Sequence, residues 1–211
     1  MPDPSTTRAQ MVDTQLRARG ITDQRVLEAM LRVPRHEFVP EAYRSQAYED
    51  HPLPIGNDQT ISQPYVVALM LELLQLTPSD AVLEIGTGSG YVTALLAELA
   101  AQVFSVERHA ALAENARQVL AALGYTNVCV LTGDGTQALP TVAPVDAILV
   151  SAAASHVPPA LLSQLRDGGR MIIPVGSPES QQLQFIRILN GQPVISLREP
   201  VRFVPLVRNG D

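Results

Sequence analysis

The sequence predicts an α/β protein: a three-layer sandwich in which a mostly parallel, roughly seven-stranded sheet lies between helices, with an N-terminal helical cap. Three observations carry this expectation. Residues 81–85 (AVLEI) form an apolar run broken only by Glu84, short enough for a strand covered on both faces, and lead through Gly86, Gly88 and Gly90 into a helical pattern. Further apolar runs of strand length follow at 103–107, 128–132, 146–150 and 170–175, with helical stretches among them. Finally, Asn190-Gly191 stands after the run 182–189, a strong signal for a hairpin and so for an antiparallel end to the sheet. The chain of 211 residues reads as one domain, with 1–64 as the cap and loop segment and 65–211 as the ligand-binding core.

Taken in order, residues 1–7 hold two prolines and small polar residues and are expected to fray. Residues 8–19 place Met11, Val12 and Leu16 at helical spacing before the stop signal Gly20. Thr22 or Asp23 can cap a second helix with Val26, Leu27, Met30 and Leu31 on one face, which Pro34 ends. Residues 35–63 are loop-rich and long for a loop in a compact domain, as lids and binding segments are; they include Tyr43, Tyr48, His51 and a turn signal at Gly56-Asn57-Asp58. A helix is expected over 65–76 with Pro64 in its first turn, then the strand 81–85, then a helix from Tyr91 with Val92, Leu95, Leu96 and Leu99 on one face. The strand 103–107 precedes a helix over 110–123 with Gly124 as its C-cap. Residues 159–165 read as helix, 167–169 as a turn, and 182–189 and 201–207 as the last two strands.

Composition narrows the class. With 46% hydrophobic residues the chain is no disordered protein. A net charge of −6 without a basic run argues against a nucleic-acid substrate. Cys129, the single cysteine, reads as a small buried hydrophobe. The first residues lack an apolar signal-peptide core, and the most apolar helix is too short to span a bilayer and holds Glu72. The expected compartment is the cytoplasm.

The glycine-rich turn is the centre of the chemistry. Side-chain-free residues between a strand end and a helix start let the backbone approach a ligand at the carboxyl edge of a sheet. Alone, such a loop is an ordinary strand-to-helix turn. The dinucleotide fingerprint calls for a small residue where Tyr91 stands, and no Gly-Lys-Ser/Thr follows, so a dinucleotide loop is disfavoured and a Walker loop does not fit. The strand 103–107 (VFSVE) ends in Glu107, at the distance where nucleotide-binding units place a carboxylate on ribose hydroxyls. The strand after it runs into Gly133-Asp134-Gly135, where a polar group could read an adenine amino group. Ser62, two residues before Pro64, lies near a helix start, and Ser62 or Gln63 can be read as its cap. His156 could be a base, but beside Val157-Pro158-Pro159 it reads better as a partly exposed structural histidine.

LEIGTGSGY (83–91), FSVER (104–108) and GDG (133–135) resemble the nucleoside-binding motifs of class I S-adenosylmethionine-dependent methyltransferases. TISQP (60–64), Gly168-Gly169-Arg170 leading into IPVG (173–176), and RFVPL (202–206) resemble the protein-L-isoaspartate O-methyltransferases, and the likeness runs from about residue 10 to the C-terminus. The resemblance implies a Rossmann-like methyltransferase sandwich, S-adenosyl-L-methionine as cofactor with S-adenosyl-L-homocysteine as product, and isoaspartyl-containing proteins and peptides as substrates; no metal is expected, and the expected state is a monomer. It implies Ser62 as the catalytic residue and Ile61, Ser62, Glu84, Gly86, Thr87, Gly88, Ser89, Glu107, Arg108, Asp134 and Gly135 as cofactor-binding residues. Two departures bear on substrate preference: Val207, before the polar tail 208–211, stands where the family often has threonine, and Ala154-Ser155-His156 replaces a proline-containing stretch. Alternatives are a methyltransferase for another small acid or for RNA, which leaves TISQP unexplained; a nicotinamide oxidoreductase, disfavoured by Tyr91; and a binding module that kept only the nucleoside pocket.

Overall fold

The structure, a computed structural model, describes residues 3–137, 139, 141–142 and 144–207, so the polar tail at 208–211 lies outside the described residues. The first helix, α1 (Pro4–Met11), begins earlier than expected. Asp3 accepts a hydrogen bond from the Thr6 N–H and Pro4 fills the first turn, so residues 4–7 are helical rather than frayed. The helix continues through a π turn (Val12–Leu16) and a 3-10 turn (Arg17–Arg19) to Gly20. Between the two candidate caps of α2 (Gln24–Arg32), Asp23 holds the post, accepting from the N–H groups of Arg25 and Val26 at 2.9 and 3.3 Å. The expected loop over 35–63 is more ordered than its prolines suggest. It contains 3-10 turns (Arg35–Phe38 and Glu41–Gln46) and a small antiparallel hairpin, β1 (Leu53–Gly56) and β2 (Gln59–Ile61), turning at Asn57 and Asp58, both left-handed with φ of 50° and 57°.

The main sheet has seven strands in the order β5-β4-β3-β6-β7-β8-β9. They are β3 (Ala81–Ile85), β4 (Gln102–Glu107), β5 (Val128–Thr132), β6 (Val145–Val150), β7 (Leu165–Ser177), β8 (Ser180–Leu189) and β9 (Gln192–Val201). β3 to β7 are parallel, and β8 and β9 add the antiparallel end. The connecting helices are α3 (Pro64–Leu74), α4 (Tyr91–Leu99), α5 (Ala110–Ala122) and α6 (Pro159–Leu162). Two expectations are corrected. The turn at 167–169 lies within β7, where a register shift against β6 between Val145 and Ala147 absorbs the extra residues. The last strand is 192–201, not 201–207: Asn190 and Gly191, with φ of 53° and 73°, make a two-residue turn that pairs Leu189 with Gln192 at once, leaving 202–207 free to fold back over the carboxyl edge.

Strand alternation divides the core. Val82, Val103, Leu149 and Ile172 face one way and join a cluster with α2, α3, α4, α5 and the N-terminal segment, including Met11, Leu16, Met30, Leu71 and Leu95. Leu83, Ile85, Val106, Ile148 and Ile173 face the other way, covered by Leu161 of α6 and by Leu139 and Val142. At the opposite end from the glycine loop, Arg170 makes a buried ion pair with Asp80 and donates to the carbonyl of Leu74 at 2.7 Å, tying β7 to the end of α3. No helix among the described residues is long and apolar enough to cross a membrane.

Candidate active site

The carboxyl edge of the sheet gathers most of the expected residues around one cleft of about 820 Å³, mouth included. At the end of β3 the chain must turn sharply. Gly86 does so at a φ of 91°, a conformation side chains rarely adopt, and donates its N–H to the Val106 carbonyl at 2.8 Å. Gly90 closes the loop onto the Thr87 carbonyl at 2.8 Å and begins α4 with no side-chain cap. Ile55 of the hairpin packs over Gly88, so the N-terminal segment roofs the loop.

Glu107 ends β4 and is 5% exposed. Its Oε2 accepts the Gly88 N–H and its Oε1 the His109 N–H, each at 2.9 Å. Two backbone donors from opposite sides therefore fix the carboxylate, and each oxygen keeps a further acceptor site. The next strand brings Gly133 and Gly135 to the wall; a Cβ at Gly135 would stand 2.5 Å from Cγ2 of Ile85, so that position admits no side chain. Ile61, Ser62, Thr87, Ser89 and Arg108 also line the cleft.

Two of the expected residues are not among those that line the cleft. Glu84 does not line the cleft. Period-two alternation puts it on the Val82 side, beneath α4, where it is wholly buried and its Oε2 accepts the hydroxyls of Thr93 (2.5 Å) and Ser105 (2.6 Å). Since Ser105 donates to Glu84, Thr87 must donate to Ser105, 2.6 Å away, so Glu84 reaches the glycine loop only through two hydroxyls. Burial pushes its carboxyl up to about 8, with the nearby Glu107 adding to the rise, and Oε1 has no partner. Asp134 also stands outside the cleft lining; its Oδ1 accepts the N–H and hydroxyl of Thr136 at 2.9 and 2.7 Å, so that it shapes the turn between the two glycines.

The remaining wall comes from the folded-back tail. Ala153 donates to the carbonyl of Val204 (2.8 Å) and accepts from Leu206 (2.7 Å), and the backbone of Phe203 is clamped by the side-chain amide of Gln181. The small residues after β6 permit this close approach, and Ser151 is tied to the Ile85 carbonyl at 2.8 Å. Val207 lines the cleft with an apolar side chain. A second cavity, about 1080 Å³ with its mouth, is lined by Pro52, Gln63, Val66 and residues 200–204. The two cavities share Thr60, Ser62, Ser151 and Val204. His109 and Thr60 carried no sequence signal of their own as wall residues. His156, beside Ser155, lines neither cavity.

A mostly parallel sheet whose glycine loop and acid-tipped second strand meet at one edge defines a Rossmann-like methyltransferase. The sequence profile of the family described as Protein-L-isoaspartate(D-aspartate) O-methyltransferase (PCMT) matches residues 6–211. A protein-L-isoaspartate O-methyltransferase of Koribacter versatilis is 58% identical over 96% of this chain and 91% of that protein, and one of Methylorubrum extorquens 55% over 99% and 91%. Among solved structures, a protein-L-isoaspartate O-methyltransferase superposes with a TM-score of 0.87 at 31% identity, over 95% of this chain and 66% of that one. A Plasmodium falciparum structure described as a beta-aspartate methyltransferase in complex with S-adenosyl-L-homocysteine superposes with a TM-score of 0.83 at 28% identity, over 95% and 98%. The chain belongs to the protein-L-isoaspartate O-methyltransferase family.

Proposed function

We infer that the protein transfers the methyl group of S-adenosyl-L-methionine to the free α-carboxylate of L-isoaspartyl residues in damaged proteins and peptides, starting repair through a succinimide. Beyond family membership, the observation that carries this is Ser62, which lies at the junction of the glycine-loop cleft and a second cavity. The residues fit the cofactor. Glu107 is a carboxylate pre-oriented by two N–H donors, with acceptor sites left for a ribose diol. Gly133, where a Cβ would meet nothing within 4 Å, and Ile85 offer a wall for a base, and the loop 86–89 offers backbone to the methionine end.

When bound, S-adenosyl-L-methionine supplies a methyl carbon activated by its sulfonium sulfur. The acceptor is a carboxylate with a pKa near 4, ionised at neutral pH, so no side chain need remove a proton. The carboxylate oxygen–carbon bond forms as the sulfur–carbon bond breaks, leaving a methyl ester and a neutral thioether. The protein's work is alignment and exclusion of water. Ser62 donates its hydroxyl to the acceptor carboxylate and holds it in line; Thr60 and Ser151 flank it. Val207, in the cleft lining, gives the acceptor an apolar neighbour. The protein acts as a cytoplasmic monomer on peptides rather than nucleic acid, in keeping with its net charge of −6. The test is chemical: label from the donor's methyl group must enter an isoaspartyl peptide as an ester and leave as methanol when the succinimide closes. Label stable to that closure overturns the reading.

A further inference from the structure

Ser62 must be held still for alignment to work, yet it lies in a short linker between β2 and α3. On its N-terminal side, the hairpin fixes it: Ile61 pairs with Leu53 and Thr60 with Pro54. Nothing comparable is built into its C-terminal side. Gln63, the N-cap of α3, makes no capping hydrogen bond with its side chain, and Pro64 has no N–H.

That gap is filled from a distant part of the chain. Asp50 lies in the bend that precedes the hairpin, and its side chain is 23% exposed. Its Oδ2 accepts from the Gln63 side-chain amide at 2.7 Å and from the Arg19 guanidinium at 2.5 Å. Its Oδ1 accepts the N–H of Tyr65 at 3.2 Å, the first N–H that α3 can offer. One carboxylate therefore does the work of the missing cap, where negative charge also suits the helix dipole. The Arg19 guanidinium lies 3.4 Å above the Tyr65 ring and closes the clamp from the other side. Residues on both sides of Pro64 are tied to the same carboxylate, and Ser62 is the residue just before them.

We propose that Asp50 is a positioning residue of the methyl transfer: with Arg19 it clamps Gln63 and Tyr65 and so fixes the Ser62 hydroxyl at the junction of the two cavities. The proposal rests on the role given above to Ser62. Asp50 lines neither cavity and reaches the second one only through Gln63, so its effect must travel through that segment.

The test is a double-mutant cycle on the full-length protein with an isoaspartyl peptide, reading kcat, KM, thermal midpoint and S-adenosyl-L-homocysteine affinity. Asp50→Ala is expected to lower kcat about 10- to 100-fold, as slight misplacement of an aligned group does, while the product affinity stays within about threefold. In a Ser62→Ala background the same substitution is expected to cost less than about threefold. Equal losses in the two backgrounds, or an Asp50→Ala kcat within about twofold of the wild type, overturn the proposal. Asp50→Asn keeps the volume but must turn its amide toward the Tyr65 N–H or toward both Gln63 and Arg19, and is expected to lower kcat in the same direction. If both variants fail to fold, Asp50 is a structural residue only and the proposal falls. A wild type inactive on the isoaspartyl peptide is a different result: it removes the functional reading itself before any variant is compared.

Discussion

Replacing Glu84 by glutamine is expected to stabilise the protein at alkaline pH and to change little in acid. The carboxyl is wholly buried beneath α4, accepts two hydroxyls on Oε2, and has nothing to pair with Oε1. Burial raises it from 4.5 to about 8. A group raised in the folded state holds its proton there after the unfolded chain has released it, so its contribution is complete below about pH 4.5 and is lost as pH climbs to about 8. The gap corresponds to roughly 5 kcal/mol as an upper figure, at about 1.4 kcal/mol per pH unit. Glutamine mimics the protonated acid: its oxygen can accept from Thr93 and Ser105, and its amide takes the place of the unpartnered O–H. Urea unfolding of both proteins from pH 4.5 to 9 should give similar free energies at the acid end and a gap of about 2–5 kcal/mol in favour of Glu84→Gln at the alkaline end. The difference curve matters, because it cancels every other titrating group. Parallel curves, or a variant less stable at pH 9, would mean that burial does not raise the Glu84 carboxyl in the folded protein and would refute the reasoning.

Three further outcomes follow from the same geometry. Glu107→Ala, which removes the proposed ribose acceptor and the partner of Gly88 and His109, should weaken S-adenosyl-L-homocysteine binding by at least about 10-fold in calorimetry, the size expected for lost charge-assisted hydrogen bonds. Gly135→Ala should lower both the melting temperature and product affinity, because its Cβ would meet Ile85 at 2.5 Å; the steric cost is about 1–3 kcal/mol by denaturant unfolding. Asp80→Ala leaves the Arg170 guanidinium buried without its ion pair and should cost about 3–5 kcal/mol, whereas Asp80→Ala with Arg170→Met should recover much of that loss.

The centre of the fold was legible because its signals are local. β3 begins and ends where the apolar run does, and α4 starts at the residue after Gly90. The hairpin over 53–61 was not legible: its strands are four and three residues long and carry Pro54, too short for a period-two pattern. β9 was missed because most of it is exposed on both faces, Val194, Ile195 and Leu197 included, so burial imposed no alternation, while the apolar tail 202–207 looked more like a strand. At the site, Glu107 followed from strand order and spacing. Glu84 drew attention as a charge in an apolar strand, and only the side of the strand decides that it faces Thr93 rather than the cleft. Asp50 had no signal at all, since its partners are Arg19, Gln63 and Tyr65 and only the folded chain brings them together.

The most direct test of the account offers the purified protein methyl-labelled S-adenosyl-L-methionine and one peptide in two forms, with isoaspartate or with normal aspartate at a single position. The account predicts label on the isoaspartyl form alone, appearing as an ester and leaving as methanol. Label on the aspartyl form to an equal extent, or on neither while S-adenosyl-L-homocysteine still binds, would contradict it.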